Sequence, residues 1–284
     1  HACGHDGHTA IGLAAAKYLA ATRAFNGRAV MIFQPAEEDG GGARAMLADG
    51  LIDRFGIDEV YALHNIPGLA VGEFATRPGP IMAAADMFRI TLTGRGGHAA
   101  QPHQALDTTM IAGHVLVALQ TVVARNIDPL KPAVLTVSTV ATDSSGACVI
   151  PQTVVLTGTT RSFEVAVQDV LEARLRAVVQ GVAEAHGGQA DVWYLRDAPA
   201  TVNAAAQTGY AVAVAEAISP RGNRLADRVM VAEDFSEMLN ARPGAFMFIG
   251  NGDSALLHHP GYEFNDAAIP YGAAWLAGMV EARG

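Results

Sequence analysis

The order of apolar and polar residues predicts alternating helices and strands in the first part of the chain. Apolar side chains recur at helical spacing between Ile11 and Leu19, and residues 29–33 (AVMIF) form a short, wholly apolar run. Such a run is typical of a strand buried on both faces of a parallel sheet. A helical stretch over residues 43–51 and a second apolar strand, residues 60–63, follow and lead into His64. This order predicts an α/β sheet, whose ligands bind at the carboxyl ends of its strands.

The pattern changes at Asp86, where apolar residues alternate with polar ones as in a half-buried strand. The segments that follow predict a helix over 105–125, strands at 134–140 and 154–160, a helix over 165–185 and a strand at 190–195. This β-α-β-β-α-β order is ferredoxin-like. Helices and short apolar strands such as residues 245–249 then return. We therefore predict a mainly parallel α/β domain, residues 1–84 and 199–284, interrupted by an inserted ferredoxin-like α+β domain, residues 85–198.

Composition and charge narrow the class of protein. Half of the 284 residues are apolar, 17% are charged and the net charge is −9. A folded core is expected, and nucleic acid or an anionic membrane is not an expected partner. The richest apolar run, residues 110–124, is interrupted by Gly113, His114, Gln120 and Thr121 and is shorter than the roughly 20 residues of a membrane span. Two cysteines favour a reducing, cytoplasmic location. Because the chain begins inside a polar motif and not at Met, we expect its N-terminal segment to be missing.

The opening motif, CGHDGH, places a thiol, imidazoles and a carboxylate within six residues. On an extended backbone, side chains two positions apart share a side, so Cys3 and His5 can face one metal. Asp6 is then free to hydrogen-bond to a metal ligand and orient it. The alternative interpretation is a polar loop that caps a helix, which the tight grouping of Cys and His with glycine makes less favourable.

Further candidate ligands follow the two predicted strands. Glu37, Glu38 and Asp39 come after the first strand, and adjacent side chains diverge, so one carboxylate can hold a metal while its neighbour faces a water. A solvated acidic turn is equally compatible with this spacing. Cys3, His5, Glu38, His64 and His258 supply more ligands than one tetrahedral site needs. They predict two metals about 3.5–4 Å apart.

Eight segments, in order, closely resemble metal-dependent amidohydrolases of the hippurate hydrolase type. The segments are HACGHDGHTA, FQPAEEDGGGA, ALHNIPGLAVG, RPGPIMAA, GRGGHAAQPH, VIPQTVVLTGTTRSF, AEDFSEM and LHHPGYEFND. The wider metallopeptidase family includes aminoacylase, carboxypeptidase G and the indole-acetyl-amino-acid hydrolases. The resemblance implies that Cys3, His5, Glu38, His64 and His258 bind two divalent metals, with Cys3 as the bridge. Zn or Mn is the first expectation, and Co or Ni the next.

The resemblance also implies roles for other residues and a reaction. Glu37 would be the general base for a metal-activated water in the hydrolysis of an N-acyl or N-aroyl amino acid, which is a linear amide. His98 would bind the oxyanion in a neighbouring subunit's site, and Arg161 would hold the substrate carboxylate. The inserted domain would be a lid and would form a homodimer. Cys148 stands where relatives carry a substrate-contacting Asn. Two alternatives stay open, namely a dipeptidase or carboxypeptidase, and a catalytically silent metal-binding relative.

Overall fold

The computed structural model describes residues 2–38 and 41–283, which divide into two compact units. The first unit comprises His1–Met82, Thr201–Val229 and Glu233–Gly284. The second comprises Ala83–Ala200 together with Met230–Ala232. The chain therefore leaves the first unit after Met82 and returns to it at Thr201.

Helices and strands alternate along the described residues. The helices are α1 (His5–Thr22), α2 (Gly42–Ala48), α3 (Leu51–Phe55), α4 (Thr108–Asn126), α5 (Val165–Ala185), α6 (Ala205–Ile218), α7 (Phe235–Ala241) and α8 (Ile269–Arg283). The strands are β1 (Val60–Ile66), β2 (Phe74–Thr76), β3 (Gly79–Met82), β4 (Ala84–Thr93), β5 (Gly97–His98), β6 (Ala133–Thr142), β7 (Val149–Ile150), β8 (Thr153–Ser162), β9 (Gln189–Ala198), β10 (Thr201–Asn203), β11 (Asn223–Leu225) and β12 (Gly244–Gly250).

The first unit is built on a mixed sheet in the order β1-β12-β2-β11. β1 pairs with β12 and β11 pairs with β2 in parallel, whereas β12 and β2 are antiparallel. Every residue of β12 is buried, as its apolar sequence predicts. On the helical side, Trp275 of α8 is fully buried and its indole N–H donates to the carbonyl of Ala211 at 3.0 Å. The predicted α/β class with parallel strands is confirmed.

The strand predicted at residues 29–33 is wrong. The structure gives no strand there, and the Phe33 side chain is 47% exposed. A cavity of about 900 Å³ lies beside this segment, and its lining includes residues 29–37 and residues 60–64 of β1. An apolar run becomes a strand only where a neighbouring backbone accepts and donates its hydrogen bonds, and among the described residues β1 pairs only with β12. Glu37 and Glu38 therefore follow an irregular segment instead of a strand.

The second unit has an antiparallel sheet in the order β6-β8-β4-β9, with α4 and α5 packed against it. Its longer elements follow in the order β4, α4, β6, β8, α5, β9, with the two-residue strand β5 before α4 and the two-residue strand β7 before β8. The helix expected over residues 105–125 begins later, at Thr108, because the Asp107 carboxylate accepts hydrogen bonds from the amides of Thr109 and Met110 and caps α4 there. By length and composition α4 could cross a membrane, yet its apolar face is buried in this unit's core.

Candidate metal centre

The opening motif folds into a turn that leads into α1. Gly4 adopts φ 84° and ψ 19°, a left-handed conformation that glycine reaches without strain, and His5 is the first residue of the helix. A Cβ atom at Gly4 would lie 2.4 Å from the hydroxyl oxygen of Tyr262, so only glycine fits. The backbone of residues 3–5 is therefore not extended. Cys3 and His5 approach each other through the turn instead.

The five predicted ligands converge on Cys3. Ligand atoms of Cys3, His5 and His64 lie within 4.8 Å of one another, and the same holds for Cys3, Glu38 and His258. The Cys3 thiol, which is 8% exposed, belongs to both groups. Its Sγ atom is 3.4 Å from Nε2 of His64, and Nε2 of His258 is 3.3 Å from a carboxylate oxygen of Glu38. Two groups that share one sulfur are an arrangement in which a thiolate can bridge two cations.

His64 is held in an orientation that suits a metal ligand. Its Nδ1 lies 2.6 Å from the carbonyl oxygen of Asn65, so the Nδ1–H donates there and the Nε2 lone pair is directed towards the Cys3 sulfur. Burial lowers the pKa of His64 to about 4. The ring is therefore neutral at physiological pH, as a ligand must be.

Asn65 joins the residues beneath the centre. Its fully buried side chain donates to the carbonyl of Cys3 at 2.7 Å and accepts from the hydroxyl of Tyr262 at 2.7 Å. The backbone N–H of Asn65 donates to Nε2 of His8 at 3.0 Å. Burial, with His64 and His5 nearby, lowers the pKa of His8 well below its usual value. Sequence reasoning assigned no role to His8, although it lies in the opening motif three residues after His5.

Carboxylates surround the centre on another side. Carboxylate oxygens of Glu37, Glu233 and Asp234 lie within 4.8 Å of one another. Oε2 of Glu37 also lies 3.7 Å from Nε2 of His5. Burial raises the pKa values of Glu37, Glu233 and Asp234. Repulsion adds to this, from Asp234 and Glu38 at Glu37 and from Glu37 and Asp234 at Glu233. Burial and the neighbouring glutamates raise the pKa of Cys3 to about 12. Cations bound here would relieve this repulsion. The thiol, imidazole and carboxylate donors therefore fit two divalent metals.

Glu233 and Asp234 lie in the AEDF segment, and the sequence pattern predicts no function for either residue. Both side chains are buried and approach the acidic loop from a distant part of the chain. The available signal was a pair of acidic residues directly before a short apolar helix. Asp39, the third member of the predicted acidic cluster, lies outside the described residues. Asp6 lies in the first turn of α1 with an exposed side chain, and its orienting role stays a prediction.

His98 and Cys148 lie close together in the second unit. His98 of β5 is paired with Val149 of β7, and both His98 and Cys148 line an open groove of about 600 Å³. Both side chains are exposed. Nδ1 of His98 accepts from the backbone N–H of Ala100 at 3.0 Å, which leaves Nε2 as the nitrogen that can contact a ligand. Their proposed contacts with substrate stay predictions.

Arg161 lies within β8, where it is paired with Ala85 and Val134 in the sheet. Its guanidinium donates to the carbonyl of Thr160 at 2.9 Å and to the hydroxyl of Thr159. Half-burial lowers the pKa of this group, which still carries its positive charge at neutral pH. A planar cation held by its own strand retains donors for a carboxylate.

Two residues of the centre have an unusual backbone. Ala36, directly before Glu37, has φ 52°, and His258 has φ 65°. Residues other than glycine rarely adopt this left-handed backbone conformation. Both residues lie at the points where the chain presents a carboxylate or an imidazole to the centre.

Comparison with known proteins places the chain in a family. It matches Peptidase family M20/M25/M40 over residues 1–282. It is 39% identical to N-acetyl-L-cysteine deacetylase of Bacillus subtilis over 95% of this chain, and spans 64% of that relative's length. It is 35% identical to hippurate hydrolase of Campylobacter jejuni, over 98% of this chain and 72% of that protein.

A solved structure agrees with this assignment. The Bacillus subtilis YXEP protein, described as a dinuclear metal binding peptidase from the M20 family, superposes with a TM-score of 0.85 and 28% identity. The match covers 100% of this chain and 73% of that one. The resemblance that the eight sequence segments indicated is confirmed, and the chain belongs to peptidase family M20/M25/M40.

Proposed function

We propose that this chain is the metal-binding and substrate-binding part of a hydrolase that cleaves N-acyl or N-aroyl amino acids. The observation that carries the proposal is the convergence of Cys3, His5, Glu38, His64 and His258, with the Glu37 carboxylate beside them. The names of two relatives, hippurate hydrolase and N-acetyl-L-cysteine deacetylase, point to the same substrate class. The similarity to the YXEP protein, a dinuclear metal binding peptidase, supports two metals per chain.

The chain's own residues divide the work of amide hydrolysis. Two divalent cations in this site would polarise the scissile carbonyl and make water a better acid. Glu37 accepts a proton from the attacking water and then donates it to the nitrogen of the leaving amine. In this mechanism Arg161 holds the substrate carboxylate, and His98 of a partner copy donates to the oxyanion.

The donor set bears on metal identity and on location. Imidazole and carboxylate suit Zn, Mn, Co or Ni, and the Cys3 thiolate favours the softer metals, so we propose Zn or Mn first. Cys3 and Cys148 are both free thiols. Free thiols, one of them in the metal site, are consistent with a reducing compartment, and we propose the cytoplasm.

Replacement of Glu37 by Gln tests the mechanism. The amide keeps the shape of the side chain but cannot accept a proton, so kcat for N-benzoylglycine should fall by about 100- to 10,000-fold. Metal content, measured by elemental analysis, should stay at the wild-type value because Glu37 is not among the five ligands. Glu216→Gln, at an exposed helical position, is the matched control. Turnover that survives in Glu37→Gln would remove Glu37 as the general base.

The lid and dimer roles of the second unit are tested separately. Light scattering should give twice the chain mass, and mixing His98→Ala subunits with Glu37→Gln subunits should restore part of the turnover that each variant lacks. The restored fraction comes from mixed dimers that hold one intact site. A strict monomer, or mixing without any gain, would contradict a contribution of His98 to the partner's site.

Assays with two substrates distinguish the two alternative functions from the proposed one. A dipeptidase or carboxypeptidase of this family would hydrolyse an unblocked dipeptide faster than the matching N-benzoyl amino acid. A catalytically silent relative, which Cys148 in the groove beside His98 suggests, would bind both metals and hydrolyse neither substrate. In that case Cys148→Asn, which restores the amide of the relatives, is the variant to assay.

A further inference from the structure

The loop that carries Glu37 and Glu38 is held at both ends by one carboxylate. At its beginning, the side-chain amide of Gln34 donates to Oδ1 of Asp234 at 2.5 Å. At its end, the backbone N–H of Ala43 donates to Oδ2 of the same residue at 3.0 Å. Asp234 is 8% exposed, so water competes little for these two hydrogen bonds.

Asp234 serves this loop instead of its own helix. It occupies the N-cap position of α7, where an aspartate usually accepts from amides of the following turn, yet its side chain makes no capping hydrogen bond within α7. α2 begins after Gly41, which has no side chain to offer as a cap. Asp234 therefore supplies to α2, from 191 positions away, the acceptor that α2 lacks.

The loop is also closed upon itself. The N–H of Gly42 points to the carbonyl of Ala36 at 3.4 Å, and a Cβ atom at Gly42 would lie 1.7 Å from the carbonyl oxygen of Pro35. Glu37 and Glu38 directly follow Ala36, so a displacement of this contact moves them.

A second contact between α2 and α7, an ion pair, is weaker. Arg44, the residue after Ala43, pairs with Glu237 of α7 at 2.6 Å, but its side chain is 53% exposed. Exposed ion pairs contribute between zero and about 1 kcal/mol. This pair therefore cannot replace the two hydrogen bonds of Asp234, of which the one from Ala43 is buried and the one from Gln34 is part-buried.

We propose that Asp234 is a positioning residue that determines where the Glu37 and Glu38 carboxylates lie. The inference rests on the proposed function, in which Glu37 is the general base and Glu38 a metal ligand. Asp234 touches neither the substrate nor the metals in this proposal, and acts through the two ends of the loop. A displacement of about 1 Å at a catalytic group can lower the rate by about 100-fold.

Substitutions that exchange donor and acceptor test this contact. Asp234→Ala removes both acceptors and should lower kcat for N-benzoylglycine by about 100-fold while KM stays within about threefold. Gln34→Glu places a second carboxylate against Asp234 and should lower kcat by at least about tenfold. Adding Asp234→Asn to Gln34→Glu restores a donor facing an acceptor and keeps an oxygen for Ala43, so most of the turnover should return. Glu237→Gln, which breaks only the exposed ion pair with Arg44, is the control.

Hydrogen exchange at the amide of Ala43 gives a readout that does not depend on activity. Exchange should be slow in the wild type and in the double variant, and faster in Asp234→Ala. Unchanged kcat or unchanged Ala43 exchange in a folded Asp234→Ala protein would overturn the proposal, as would a double variant no better than Gln34→Glu. A wild-type protein without turnover or metal would instead refute the proposed function, and the exchange comparison would then decide the role of Asp234.

Discussion

Replacement of Gly42 by Ala sets two effects of opposite sign against each other. Gly42 is the first residue of α2, and alanine stabilises a helix interior by about 1 kcal/mol relative to glycine. The added Cβ, however, would lie 1.7 Å from the carbonyl oxygen of Pro35, whereas real Cβ atoms stay beyond 3.0 Å. The loop or the helix must therefore shift by at least 1.3 Å, the difference between these two distances. The atom that must give way is backbone, so no side-chain rotation relieves the contact.

We expect the steric effect to dominate. Overpacking costs about 1–3 kcal/mol and helix propensity returns about 1 kcal/mol, so the variant should be less stable despite its better helix former, with a net loss of up to about 2 kcal/mol. For a protein of this size, a net loss of about 2 kcal/mol lowers the melting temperature by roughly 4–8 °C. The same shift displaces Glu37 and Glu38, so the affinity for Zn²⁺ or Mn²⁺, measured by calorimetric titration, should fall together with stability.

Gly113→Ala is the matched control for this substitution. Gly113 lies in α4, and an added Cβ there would meet nothing within 4 Å, so helix propensity should raise stability by about 1 kcal/mol. Thermal denaturation of the two variants beside the wild type should give shifts of opposite sign. The reasoning about the loop would be refuted if Gly42→Ala were as stable as Gly113→Ala, or bound metal with wild-type affinity.

Three further measurements follow from individual residues. In metal-free protein, Cys148 is exposed, whereas Cys3 is buried and its pKa is raised to about 12. A thiol reagent should therefore modify Cys148 quickly and Cys3 only in denaturant. Fast modification of both thiols would contradict the burial of Cys3. Arg283 lowers the pKa of Glu59 to about 2, so this pair stabilises the fold fully above the unfolded-state pKa near 4.3 and the contribution is lost as pH falls through about 2. Urea denaturation should therefore show Glu59→Gln about 1 kcal/mol less stable than wild type at pH 7, with the difference shrinking as pH falls from about 4 through about 2; a difference that did not shrink in acid would refute this assignment. Removal of metal by a chelator should lower the melting temperature of the wild type, and Glu38→Gln should reduce that change, since a ligand that binds only the native state stabilises it.

The candidate ligands were identifiable from sequence because each lies in a dense local motif or at the end of an element. Cys3 and His5 are separated by one residue, and His64 lies near the end of an apolar strand, where the fold presents side chains to a common edge. The exact route of the backbone was not identifiable. The left-handed turn at Gly4, and not an extended segment, brings the thiol and the imidazole together.

The sequence pattern could not predict features that depend on contacts between distant segments of the chain. The apolar run at residues 29–33 indicates burial, but periodicity does not say which backbone would lie beside it, and the predicted strand is absent there. The role of Asp234 is of the same kind, because the partner amide of Ala43 is 191 positions away. An acidic residue before a helix resembles an ordinary cap until the structure shows which helix it caps.

The left-handed backbone at Ala36 and His258 has a consequence for directed evolution. Each such residue costs about 1–2 kcal/mol relative to a relaxed conformation, and glycine would remove most of that cost. A selection for heat resistance alone should therefore enrich Ala36→Gly. His258→Gly would also increase the stability of the protein, but it would remove the imidazole from the centre. Under a combined selection for heat resistance and turnover, the first position is free to change and the second is not. The two sites would then separate backbone strain that is merely tolerated from strain that is retained for chemistry.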